Sequence, residues 1–207
     1  MPKPYRDGGP ALDEWEIPGL KTAVHINGTL NDPSDKDKGW SVEIAFPWKA
    51  LGVHAGCPAP PRSGDQWRVN FSRVEWLTEI VDGGYRKVKG KPEDNWVWSP
   101  QHAIDMHRPE YWGYVQFSDR TKGPEKFRPD ESWNARMRVM AVYYSQKAFE
   151  SKHKRWAQSF EELGKSFPNC HMASTKGGWE AWTETRNSRG SYKLSVRHDS
   201  KLWSSLR

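Results

Sequence analysis

The chain has 207 residues, of which 35% are apolar and 28% charged, and its formal net charge is +6. That length fits one ordinary domain with an appendage, or two small units, and the lack of any run of about 18 apolar residues excludes a membrane-spanning helix. Basic residues clearly outnumber acidic ones from Lys122 to Arg207, whereas residues 1–121 are close to balanced; with no RNA signature or DNA-reading motif beside it, this charge reads as a solvated face and not as a nucleic-acid partner.

Residues 1–20 are rich in Pro and Gly and read as an extended lead-in without the apolar stretch of a secretory signal. Residues 22–29 alternate around Val24 and Ile26 and predict a strand. A polar turn follows over residues 31–39. Residues 40–46 alternate cleanly, with Trp40, Val42, Ile44 and Phe46 on one face and Ser41, Glu43 and Ala45 on the other. Residues 47–52 predict one helical turn, opened by Pro47 and stopped by Gly52. After a Pro-rich loop, residues 66–76 alternate again, but Val74 and Trp76 have the opposite parity to Trp67. A bulge or bend near Ser72 and Arg73 accounts for that. Short strands are expected over residues 83–88, 95–98 and 112–117. Five or six strands without long helices predict a mainly β, antiparallel sandwich over residues 1–118.

The character changes after Asp119. Residues 119–132 read as a charged linker and residues 133–207 as a small α+β extension. A helix is expected over residues 133–158, with Met137, Met140, Ala141, Tyr144 and Ala148 at helical spacing. A second short helix is expected from Ser159, with Glu162 completing a capping box and Gly164 as its stop. Residues 179–185 and 191–196 predict a hairpin. Cys57 and Cys170 are far apart and outside any CxxC context, which leaves one disulfide or two free thiols open.

Four ordered segments carry a resemblance: residues 39–51 (GWSVEIAFPWKAL), 64–76 (GDQWRVNFSRVEW), 95–101 (NWVWSPQ) and 108–113 (RPEYWG). Together, over about residues 3–117, the chain resembles the family-9 carbohydrate-binding-module-like proteins. The resemblance implies a β-sandwich that binds a xylan- or cellulose-like sugar without catalysis, in support of glycoside hydrolases, outside the cell or in the periplasm. It also implies strands ahead of residues 3–9, so the chain is expected to begin inside the fold, with sheet edges and apolar core left uncovered. The extension lies outside the resemblance; its helix-plus-sheet order loosely resembles pilin layouts.

Family members hold the sugar between Trp rings, which carries Trp96 and Trp98 over as candidates. Two residues apart on a strand, they point the same way, and form either a stacking platform or core, with core the favoured reading for at least one of them. Asp94, Asn95 and Gln101 flank them and offer planar polar groups to sugar hydroxyls, although Asp94 and Asn95 also suit a turn. Arg73 and Glu75 share a strand face and either engage a diol or pair with each other. Trp40, Trp48 and Trp67 are expected in the core. Asp32, Asp35 and Asp37 are the only group suggesting a metal, Ca²⁺, and the spacing better fits a solvated turn. His102, Asp105 and His107 match no metal motif, and no other cofactor is expected. Glu75 with Asp94 is the carboxylate pair that glycoside hydrolysis would call for, but no nucleophile elbow, zinc motif, P-loop or dinucleotide fingerprint appears, and no catalysis is expected. The alternative reading is a structural or interaction module that has kept the sandwich without sugar binding.

Overall fold

The computed structural model describes residues 12, 14–123, 125–188 and 190–206. The chain is mainly β, with antiparallel sheets and two helices. It divides into two compact units, a ladder unit of residues 12–106 and 112–125, and a helix–sheet unit of residues 107–111 and 126–207.

In the ladder unit, β1 (Lys21–Asn27) pairs antiparallel with β2 (Gly39–Ala45), so that Thr22, Val24 and Ile26 stand opposite Ile44, Val42 and Trp40. The pleat therefore collects apolar side chains on one face and His25, Ser41 and Glu43 on the other. The expected helical turn is α1 (Trp48–Leu51), entered from Pro47 at φ −66° and closed by Gly52 N–H donating to Trp48 O at 2.8 Å. The expected strand over 66–76 divides into β3 (Gln66–Val69) and β4 (Ser72–Glu75). Its cause is a change of partner, not a simple bulge. β4 pairs with β7 (Asp94–Val97), while β3 pairs with β8 (Gly113–Gln116), and Asn70 and Phe71 lie between them. A hairpin of β5 (Thr78–Val81) and β6 (Gly84–Lys87) follows β4. Its turn residues Asp82 and Gly83 both have positive φ, 54° and 77°, the backbone that an Asp-Gly hairpin turn supplies. Trp48, Trp67 and Phe117 meet edge to face with centroids 5.3–5.6 Å apart. Trp67 and Phe117 are partly buried in this cluster, but Trp48, expected in the core, keeps 39% of its surface exposed and lies at its edge, because no further layer covers the α1 turn among the described residues.

In the helix–sheet unit, α2 (Trp133–His153) lies across a four-stranded antiparallel sheet. Its strands are β9 (Cys170–Thr175), β10 (Gly178–Asn187), β11 (Gly190–Arg197) and β12 (Leu202–Leu206), in the order β12-β11-β10-β9. The expected hairpin is β10–β11, closed at Asn187↔Gly190. Ala135, Val139, Val142 and Tyr143 of the helix share one core with Trp179, Ala181, Leu194 and Val196 of the sheet. Val139, Val142, Leu194 and Val196 each contribute about 1.5–3 kcal/mol by leaving water, and the two alanines less. Gln146 is also buried there. Its Nε2 donates to Ala157 O at 2.9 Å and its Oε1 accepts from Ala157 N at 3.0 Å, which ties the chain after the helix to the core.

Three expectations for this unit need correction. The helix stops at His153 and not near 158, because Lys154 turns left-handed at φ 57° and donates its N–H to Glu150 O. Ser159 starts no second helix; residues 160–164 are turn. Half of the expected box is present, with Glu162 N–H donating to Ser159 Oγ at 3.5 Å, but the Glu162 carboxylate is held by Arg155, which donates to both its oxygens at 2.8 and 3.0 Å, and by Gln158 N–H at 2.9 Å. Of the stripe expected at helical spacing, Met140 is fully buried in the core, but Met137, Ala141, Tyr144 and Ala148 are largely not the core face. At about 100° per residue these four point roughly opposite to Ala135, Val139, Val142 and Gln146, and Ala141 and Ala148 are exposed.

Candidate functional site

The β4–β7 ladder gathers most of the sequence candidates. Its register sets Arg73 opposite Trp96, Val74 opposite Asn95 and Glu75 opposite Asp94. Direct partners share a face, so Arg73, Glu75, Asp94 and Trp96 lie together, with Trp98 two residues beyond Trp96. Asn95 is on the reverse face with Val74, away from the rings, because side chains alternate along a strand. That separates it from the polar set in which it was expected.

Trp96 is the open ring of this face. It is 61% exposed, and among the described residues it has no hydrogen-bond or stacking partner. Trp98 is a different case. Its indole N–H donates to Val69 O at 2.9 Å, and its ring meets Phe71 edge to face at 5.1 Å. The other neighbour is Gly113, where a Cβ would sit only 2.8 Å from the indole. Trp98 is thus seated as a structural ring that keeps 46% of its surface exposed.

Arg73 and Glu75 form an ion pair at 2.8 Å with both side chains about half exposed. An exposed pair of this kind adds about 0–1 kcal/mol, so its interest is placement. The Arg73 guanidinium also lies 5.8 Å from the Trp40 ring, a weak cation–π contact. Trp40 is 55% exposed and not in the core, because no layer covers the apolar face of β1–β2 among the described residues. Arg73 thereby has one indole across the ladder and a second on β2. Sequence alternation missed Trp40 as a surface candidate, since the same pattern serves a covered or an uncovered face.

Gln101 stands apart from this surface. It is 4% exposed, its Nε2 donates to Ser99 O at 3.1 Å, and its Oε1 is buried without a partner among the described residues. Its amide holds the loop after β7. The comparisons give no family. The chain matches no protein-family model, no curated protein and no solved structure.

The acidic turn also has local work. Asp37 Oδ1 accepts from Thr29 N at 2.8 Å, Asp35 Oδ1 from Thr29 Oγ1 at 2.7 Å and Asp32 Oδ1 from Ser34 N at 2.9 Å. The bonds from Ser34 hold the Asp32 carboxyl below its ordinary range. These carboxylates stitch the β1–β2 loop, and among the described residues no three ligands gather for a metal. Cys57 and Cys170 are free thiols, exposed and buried respectively, and burial raises both. Glu75 and Asp94 sit side by side on one open ladder and do not face each other across a cleft.

Proposed function

We propose that the ladder unit binds carbohydrate non-catalytically and serves the degradation of a xylan- or cellulose-like polysaccharide. The observation that carries this reading is the Trp96 ring, open to solvent beside Arg73, Glu75 and Asp94 on one sheet face. A pyranose has an apolar C–H side that suits a flat indole, and hydroxyls that suit a guanidinium and carboxylates in fixed places. The four ordered segments that resemble family-9 carbohydrate-binding modules support the same reading. Trp40 extends the surface beyond Arg73, and Trp98 borders it. The test is tryptophan fluorescence titrated with xylo- and cello-oligosaccharides. Trp96→Ala is expected to weaken binding at least about tenfold, which is about 1.4 kcal/mol, and to leave unfolding unchanged. A parent protein that shows no response at millimolar sugar overturns the proposal.

A second reading has its own observation. Val24, Trp40, Val42 and Ile44 form an exposed apolar face, each between 45% and 64% accessible, and patches of that kind mark interaction surfaces. The ladder unit then serves as a protein-interaction module. Val24→Lys separates the two, since it spoils the apolar face and leaves the Trp96 ladder intact.

A further inference from the structure

We infer that the helix–sheet unit carries its own ligand site, a cleft that takes a sugar acid, a pyranose bearing a carboxylate. This does not rest on sugar binding by the ladder unit. The cleft has a volume of about 510 Å³ and is bounded by α2, the 3-10 turn Pro109–Tyr111 with Arg108 before it, and the segment 165–168 leading to β9. That size is within the usual range of small-molecule sites. Its helix wall is the stripe that the core does not use. Arg138, Ala141, Ser145 and Ala148 recur at three- and four-residue spacing, and the two alanines leave the space open.

Charge selects the ligand class. Arg108, Arg138 and Lys165 line the cleft, and no carboxylate does so among the described residues. Glu110, buried behind the Tyr144 wall, accepts from the Tyr144 hydroxyl and its charge opposes that of Arg108 there, so the positive excess of the cleft rests on Arg138 and Lys165. Both guanidinium groups are positioned. Arg108 lies 4.1 Å from the centre of the Tyr144 ring. Arg138 reaches Thr183 Oγ1 at 3.4 Å, and Thr183 in turn donates to Asn169 O at 2.7 Å, just beyond the 165–168 wall. Guanidinium forks match a planar carboxylate with two parallel bonds. The rest of the lining calls for more than a bare anion. Tyr111, Phe167 and Pro168 give apolar walls, while Ser145 and Ser166 offer hydroxyls. A carboxylate joined to a hydroxylated ring with an apolar face meets all three kinds of wall.

The full chain labelled with ¹⁵N tests this, titrated separately with D-glucuronate, D-glucose and inorganic phosphate. Glucuronate is expected to give saturable amide shifts at Ala141, Ser145 and Ser166 at about millimolar concentration, and glucose none there. Arg138→Gln should weaken glucuronate at least about tenfold. Ala148→Glu, at an exposed helix position, should abolish it by filling the cleft with negative charge, and the rest of each variant's spectrum reports that the fold is kept. Equal shifts with glucose, or none with glucuronate, overturn the inference. So do shifts as large with phosphate, which would make the cleft a bare oxyanion site. Retention of duplex DNA that depends on Arg138, with no glucuronate response, also overturns it. Failure here leaves the Trp96 titration untouched, since the two sites lie in different units.

Discussion

Trp179 of β10 is 1% exposed and Trp96 of β7 is 61% exposed, although both lie in antiparallel strands. What differs is the layer above them. Around Trp179, α2 covers a four-stranded sheet, and Tyr143 and Trp156 approach its ring at 6.2 and 6.1 Å. Around Trp96 the sheet is a two-stranded ladder, and among the described residues nothing stacks on the ring. The same residue type in the same secondary structure is core in one unit and surface in the other. A helix supplies a second layer to the sheet, and the paired strands alone do not. Binding to a flat ligand needs the second arrangement, and stability needs the first.

Removing the covered ring should do the most damage. Trp179→Ala should cost about 3–5 kcal/mol, the usual range for removing a fully buried aromatic ring, whereas Trp96→Ala should stay within about 0.5 kcal/mol, as for exposed positions. Urea unfolding of the two variants measures both, and similar losses would show that the contrast in burial is not a contrast in energy. Next comes Gln146→Leu. It removes both partners of Ala157 and leaves a buried N–H and C=O unpaired, a cost of about 2–6 kcal/mol when each orphan costs about 1–3. Retention of parent stability would place the Gln146 amide outside the core.

The fold was legible where local chemistry decides it. Alternation around Val24 and Val42 sufficed for β1 and β2, and Pro47 with Gly52 sufficed for α1, because turn and strand preferences act over a few residues. It was not legible where a remote partner decides. Nothing in the alternation of residues 66–76 says that the strand leaves one partner at Asn70 and takes another at Ser72. The short strands β5, β9 and β12 were also missed. Asp82-Gly83 was a readable hairpin signal for β5, while β9 and β12 owe their conformation to pairing with β10 and β11. On α2, Ala141 and Ala148 looked apolar and therefore buried, but α2 turns the stripe of Val139, Val142 and Tyr143 to the sheet, larger side chains that fill more of the core. Of the site, the shared face of Arg73, Glu75, Asp94 and Trp96 follows from spacing once the register is known. The register itself, which sets Arg73 opposite Trp96 and Glu75 opposite Asp94, does not; the separation of Asn95 from its neighbours follows from alternation along the strand and was legible.

Inside the ladder unit a single methyl group should have a smaller effect. Gly113→Ala places a methyl 2.8 Å from the Trp98 ring, and overpacking of this kind costs about 1–3 kcal/mol where the neighbour cannot move. Trp98 is held by its bond to Val69 O but open on one side, so about 1 kcal/mol is expected, with a shift in tryptophan emission. An unchanged spectrum would mean that the ring is looser than its hydrogen bond and Phe71 contact imply. Trp40→Ala should have less effect still, about 0.5 kcal/mol in unfolding, since its ring is exposed and its contact with Arg73 is weak.

The smallest effect concerns acid. In the helix–sheet unit the Glu162 carboxyl is lowered to about 2 from an ordinary value of 4.5, first by its bond from Arg155 and then by the Gln158 backbone N–H. A carboxyl lowered in the folded state stabilises that state fully above its unfolded value. The stabilisation falls as pH drops from about 4.5 and is gone below about 2. The pair is exposed, so solvent screens it and the gain is slight. Comparing Tm for the parent and Glu162→Gln isolates it, because every other carboxylate titrates alike in both. The parent should be slightly more stable at neutral pH, and the two curves should converge as pH falls through that window. Curves that stay parallel would show that the Glu162 contribution is steric, with the turn at 160–164 held by its backbone and Gly164, whose φ is 63°, and not by the charge of the carboxylate.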